Sequence, residues 1–384
     1  SGFVLNSLQA DLLYANNQSY IKNLYLKTPG TELRRDLVLE YESYDALINR
    51  FENTVMDVDI ANSYVQVKDI LMFAPQLRGN PAFSRPNEVW RMNIKGSGSM
   101  ERLYVEALQF SGLSNTVIDA SGTLTDITDP NAAGGNLTIR RLHTTKSDIK
   151  LFAGNALPDD QLNLPQSIDV RGTLAGNMRN LATDLHINSS AGFVSVNGRF
   201  GNLANPEATT YNASIRTTGL QLGSILRNPQ LGSVSAAVTA NGRGFMPNTM
   251  QSNFKGQVYS MGFNNYTYRN VALNGTLKGN SFTATVDAND PNADLNITAR
   301  GNFSGTPSFV VNGFVDSLRT LPLNFTTQPL TFRGKIDANI PNADPDNLQA
   351  DVLITNALFV SGTERFAHIE GVERLKGTQH RIIP

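Results

Sequence analysis

Cysteine is missing from the 384 residues, so disulfides, thiolate chemistry and cysteine-ligated metal are all excluded. The compartment stays open, because an exported protein need not carry disulfides. Charge is also scarce, at 17% of residues against roughly 25% in an ordinary soluble domain. A net charge of -1 leaves no electrostatic footprint for nucleic acid. No apolar run approaches the ~18 residues that a membrane-spanning helix needs. No charged-then-apolar export signal precedes Phe3; Ser1-Gly2 reads as a tag remnant, and Ile383-Pro384 as a cut inside something longer. Nucleophile elbow, phosphate loop and metal-binding His-Glu signatures are absent, which argues against an enzyme and against a cofactor.

Thr, Ser, Asn and Gly fill the polar positions instead, as suits the exposed faces and turns of a β protein. The chain also repeats itself. Val170-Arg171-Gly172-Thr173-Leu174, followed by Asp184, Leu185 and Ile187, returns as Phe332-Arg333-Gly334-Lys335-Ile336, followed by Asp351, Val352 and Ile354. Val194, Val196, Gly198 and Phe200 are echoed by Ile297, Ala299, Gly301 and Phe303. Turns recur at Asp129-Pro130-Asn131-Ala132, Asp290-Pro291-Asn292-Ala293 and Pro341-Asn342-Ala343-Asp344. Such self-similarity marks an array in which each unit buries its apolar face only against its neighbours.

Apolar and polar residues alternate along nearly every segment, which gives each strand one dry and one wet face. A parallel sheet buried on both sides would show unbroken apolar runs, and the connections are mostly too short for crossover helices. The expected fold is therefore all-β: an elongated, curved, mainly antiparallel sheet forming an open, solenoid-like groove, with a few short helices. Roughly 25–30 strands at ~4.8 Å spacing would fit the chain. Helices are expected at 45–51, at 69–73 with Asp69 as cap, and around Leu222 to Leu226. Segments 78–87 and 153–165 read as irregular connections. Three parts of one continuous array are expected: 1–107 with short helices, 108–230, and 231–384. Gly172, Gly198, Gly256, Gly275, Gly313 and Gly334 fall on the apolar register, where glycine marks bends or close approach.

Each candidate site has a plain structural alternative. His143 and His186 lack neighbours at metal-ligand spacing, and all four histidines, His368 and His380 included, read as surface histidines rather than zinc ligands or general bases. Asp287, Asp290 and Asp294, and again Asp337, Asp344 and Asp346, read as turn formers rather than calcium ligands. Asp159-Asp160 sits in a proline-flanked loop without a partner acid or base. The remaining feature is the apolar stripe. Its candidate lining is Val196, Val238, Val258, Leu273, Leu277, Val286, Ile297, Val311, Ile336, Val352 and Ile354. Either a closed sandwich core or an open groove fits this alternation.

Val65 to Leu77, in the order Val-x-Val-x-Asp-Ile-x-x-Phe-Ala-Pro-x-Leu, resembles the bacterial TamB proteins of the AsmA-like group. Leu24 to Thr28, Leu37 to Tyr41, Leu231 to Val234, Gly242-Arg243-Gly244, Tyr266-x-Tyr268-x-Asn270-Val271 and Gly275-Thr276-Leu277 fit the same resemblance, with a Bacteroidetes flavour. It implies a periplasmic protein anchored in the inner membrane, with a curled β-taco sheet enclosing an apolar groove. It further implies phospholipid acyl chains as cargo between the membranes, outer-membrane biogenesis as the role, and an outer-membrane barrel of the Omp85 type as partner. The expected state is monomeric. The alternative role is a scaffold for nascent outer-membrane β-barrel proteins in a translocation and assembly module. A surface adhesin built from β repeats is a third possibility.

Overall fold

The computed structural model describes residues 4–129, 131–153, 163–246, 248–344 and 347–376. Ser1 to Phe3, Pro130, Asp159-Asp160, Asp346, His380 and Ile383-Pro384 lie outside the described residues, as does the His368 side chain. The fold is all-β, with 21 strands and four short α-helices among the described residues, and the chain divides into two compact units, Ser1–Asn197 and Gly198–Pro384.

In the first unit the strands are β1 (Ser7–Tyr14), β2 (Gln18–Lys27), β3 (Glu32–Glu40), β4 (Val55–Gln66) and β5 (Val89–Gly98). They continue as β6 (Arg102–Gly112), β7 (Thr116–Thr125), β8 (Gly134–Thr145), β9 (Ser167–Asn177) and β10 (Asn180–Ser189). Strand β11 (Gly192–Gly201) contains the division. The second unit holds β12 (Thr210–Gln221), β13 (Leu231–Arg243), β14 (Gln251–Phe263), β15 (Tyr266–Lys278) and β16 (Ser281–Asp290). It ends with β17 (Ala293–Asn302), β18 (Ser308–Arg319), β19 (Thr331–Asn342), β20 (Gln349–Ser361) and β21 (Glu364–Lys376). From β1 to β10, and again from β12 to β21, each strand pairs antiparallel with the next in sequence. The count of 21 is lower than the sequence spacing suggests because most strands run to ten residues or more.

Tight turns close most hairpins, and the recurring Asx residues explain how. The Asp129, Asp290 and Asn342 side chains each accept the backbone N–H two residues on, at 2.9 Å. Asp290 is buried and also accepts the Tyr266 hydroxyl at 2.6 Å and the Arg269 N–H at 2.8 Å. That filled coordination makes it a turn anchor.

Curvature comes from bulges. Register shifts interrupt most ladders in mid-strand, among them Ile21/Leu24, Ile60/Ser63 and Val105/Leu108. A bulge bends its strand and strengthens the twist. Asn23, Asn62, Asn270 and Asn356 take left-handed φ values of 49–55° within strands, a conformation asparagine tolerates better than most residues. The N–H groups of Asn23 and Asn62 are satisfied by Asp36 Oδ1 at 2.8 Å and Asn93 Oδ1 at 2.5 Å. The glycines serve close approach. A Cβ added to Gly275 or Gly313 would lie 2.3 Å from Thr283 O or Asn296 O on the adjacent strand.

Three of the four helices match the sequence reading, with adjusted bounds. Helix α1 (Tyr44–Asn49) is capped by Ser43 and followed by a 3-10 turn at Phe51–Asn53. Helix α2 is Val67–Phe73, so Asp69 lies inside the first turn and is not the cap. It instead accepts the buried hydroxyls of Thr28 and Thr31, at 2.7 and 2.6 Å. Segment 78–87 contains 3-10 turns rather than pure loop. Helix α3 (Lys146–Ala153) was not expected; it repeats the device, with buried Asp148 accepting Thr116 Oγ1 at 2.9 Å. Ser147-Asp148-Ile149-Lys150-Leu151-Phe152-Ala153 echoes Lys68-Asp69-Ile70-Leu71-Met72-Phe73-Ala74, a repeat that could have located it. Helix α4 is only Leu222–Ile225.

Candidate functional site: the apolar sheet face

Antiparallel partners share a face, so the ladders can be followed from strand to strand as rows. In the second unit one row reads Ile215, Val238, Gly256, Leu273, Val286, Ile297, Gly313, Ile336, Ile354. No polar side chain interrupts it. Two residues along, on the same face, run Ala236, Val258, Val271, Ala288, Leu295, Val315 and Gly334. On the other flank run Ala240, Phe254, Gly275, Ala284, Ala299, Val311, Ala338 and Val352. A fourth row carries Leu277, Phe282, Gly301, Phe309 and Ile340.

Ten of the eleven expected lining residues therefore lie on one face of one sheet. The eleventh, Val196, sits in β11. The first unit has equivalent rows beyond the expected lining: Leu12, Ile21, Leu37, Val58, Gly96, Val105, Gly122, Leu137 and Leu174 form one. Ile60, Ile94, Leu108, Ala120, Ile139, Gly172 and Leu185 form another. Their alternation was legible; the shifts between segments hid that they align.

Exposure decides between core and groove. Of the eleven lining positions only Val258 is buried, at 8%, and the other ten are half-buried. A packed sandwich interior would bury nearly all of them. The residues that are fully buried gather elsewhere or are small: Val67 and Leu71 on α2, Leu113, Leu323, and a string of alanines. The compact exception is Val315, Phe332 and Ala357, against which Ile297, Ile336 and Ile354 pack. There the sheet's own side chains fill part of the face. Near the other end of β18, Phe309 meets Phe303 edge-on at 5.6 Å, and Phe303 stacks on Phe282 of β16 at 5.3 Å.

The wet face is polar. Thr285 and Thr298 hydroxyls lie 3.2 Å apart, and Lys95–Glu106 and Arg140–Asp119 pair across strands at 2.8 and 2.6 Å. Arg34 donates to Glu32 and holds its carboxyl below the usual range. Burial, then the hydrogen bond with Asp290, raises the Tyr266 phenol above its ordinary value. His143 lies 3.0 Å from Asp169 and 3.3 Å from Asn115, while exposed His186 stacks on Phe193. Among the described residues no group of three or more His, Asp or Glu side chains is arranged to hold a metal ion. Nor is any described helix long and apolar enough to cross a membrane. No family model, curated protein or solved structure matches the chain.

Proposed function

We propose that the apolar face is a conduit wall for phospholipid acyl chains, in a periplasmic segment of a TamB/AsmA-like protein serving outer-membrane biogenesis. The observation carrying this reading is the set of uninterrupted apolar rows whose side chains stay half accessible. A wall of this kind has no chemistry to perform. It has only to replace water around hydrocarbon. Two acyl chains of about 16 carbons would cost on the order of 25 kcal/mol to carry bare, at ~0.8 kcal/mol per CH₂. Nine strands, β12 to β20, at ~4.8 Å spacing give the second unit roughly 40 Å of such wall. The TamB-like signature of Val65 to Leu77 adds the inner-membrane anchor and Omp85-type barrel of the complete protein to the proposal.

Photo-crosslinking in cells tests it. Crosslinkers at Leu277, Val286, Ile297 and Ile336, all on the apolar face, should capture phospholipid, and those at exposed Thr283 and Thr298 should not. Lipid captured equally from both faces, or only from the threonine face, refutes the conduit. Capture of polypeptide at the sheet edges in place of lipid would support the competing scaffold for nascent barrel proteins.

A further inference from the structure

On the wet face of the first unit, the geometry points to a binding site for a small polyhydroxylated molecule that carries a phosphate at each end. A pocket of about 390 Å³ lies there across β5 to β8, within the size range of small-molecule sites. Two ladder rows make its floor. Arg91 faces Ser111 in one, and Asn93, Gln109, Asp119 and Arg141 follow one another from strand to strand in the other. These residues alternate with the apolar rows of the same strands, so the site is independent of the conduit.

The groups left unspent select the ligand. Arg140 is engaged: its guanidinium donates to Asp119 Oδ1 at 2.8 Å, to Ser121 Oγ at 2.8 Å and to Ala120 O at 3.3 Å. Asn93 accepts the Asn62 N–H and donates to Gln109 Oε1 at 3.0 Å. Arg91 and Arg141, by contrast, have no side-chain hydrogen bond or ion pair among the described residues. Neither do the Ser111 hydroxyl, the Gln109 amide nitrogen or Asp119 Oδ2. The nearby charges do not cancel the two arginines. Asp119 is matched by Arg140 at 2.6 Å and Lys95 by Glu106 at 2.8 Å. Beyond Arg141, Arg171 on β9 is flanked by Asp169 and Asp184, which engage His143 and His186 at 3.0 and 3.7 Å. Two positive charges are therefore left over in the pocket, at its diagonal corners, three strand spacings or roughly 14 Å apart along the ladder. A concave site with surplus charge of one sign concentrates counter-ions, and a guanidinium matches a phosphate bidentately. Between the corners, a hydroxyl, an amide N–H and one carboxylate oxygen suit a chain of hydroxyls rather than hydrocarbon.

Isothermal titration calorimetry of the full chain tests this with fructose bisphosphate, a hexose phosphorylated on both terminal carbons, which should saturate a single site. Fructose monophosphate, and pyrophosphate with its phosphates adjacent, should each bind at least about tenfold more weakly. Arg91→Ala and Arg141→Ala should each weaken the bisphosphate at least about tenfold while circular dichroism stays unchanged, because neither exposed side chain holds a partner in the fold. Arg300→Ala, which removes an exposed arginine of the second unit, should change nothing. Phosphatidylcholine vesicles containing phosphatidylinositol phosphate separate the two sources of such a group. Pelleting that needs both arginines assigns the ligand to a lipid headgroup, and binding of the soluble sugar alone assigns it to free solution. Failure of both probes to bind, equal affinity for the bisphosphate and either comparison anion, or an equal loss in Arg300→Ala overturns the proposal.

Discussion

Replacing Val286 by threonine asks directly whether the apolar face is wet or sealed. The two side chains have nearly the same shape, so the substitution changes little except that a methyl becomes a hydroxyl. In a dry interior that hydroxyl goes without a partner, at about 1–3 kcal/mol. Val286 is half-buried, so its hydroxyl reaches water and the cost should stay below about 0.5 kcal/mol. Val315, two strands away, is the internal reference: at 1% exposure in the compact cluster with Phe332 and Ala357, Val315→Thr should pay the full penalty. Urea unfolding followed by circular dichroism measures both. With a slope of about 2 kcal/mol/M, Val315→Thr should lower the midpoint by about 0.5–1.5 M and Val286→Thr by less than about 0.25 M. Equal shifts at the two positions would mean that the face is a closed core, and the conduit reading would go with it.

Asp69→Ala strips the buried Thr28 and Thr31 hydroxyls of their charged acceptor and should cost about 2–4 kcal/mol. Limited proteolysis should then cut first near α2, and Asp69→Asn, which keeps an acceptor oxygen, should recover part of the loss; wild-type resistance in Asp69→Ala would refute the clamp. Tyr266 sets an alkaline limit. Its phenol is raised by burial and by Asp290, so the folded state holds the proton more tightly than the unfolded state. That stabilisation is complete below the unfolded tyrosine value of about 10 and is lost as pH climbs through the higher folded value. Tyr266→Phe should therefore cost about 1 kcal/mol at neutral pH, through the lost hydrogen bond, yet show a shallower decline above about pH 10. Identical alkaline slopes would remove Tyr266 from the account.

The residue order by itself determined the fold class, the antiparallel hairpins and which residues share the apolar face. Those follow from local rules: a period of two separates faces, and Asp or Asn at a turn bonds its own backbone two residues on, as at Asp129, Asp290 and Asn342. The opening of the face was not legible, because the same alternation feeds a sandwich or a trough. Only the tertiary arrangement leaves Val286 and Leu273 half-wet while sealing Val315. The bulges at Asn23 and Asn62 belong to that level too, since the partners that satisfy them, Asp36 and Asn93, come from the next strand. So does the clamp on α2, where Asp69 looks like a cap from its neighbours and becomes an acceptor for Thr28 and Thr31 only once β3 and β4 are paired. A side chain's face is fixed by its own backbone; its exposure is fixed by what the rest of the chain brings alongside.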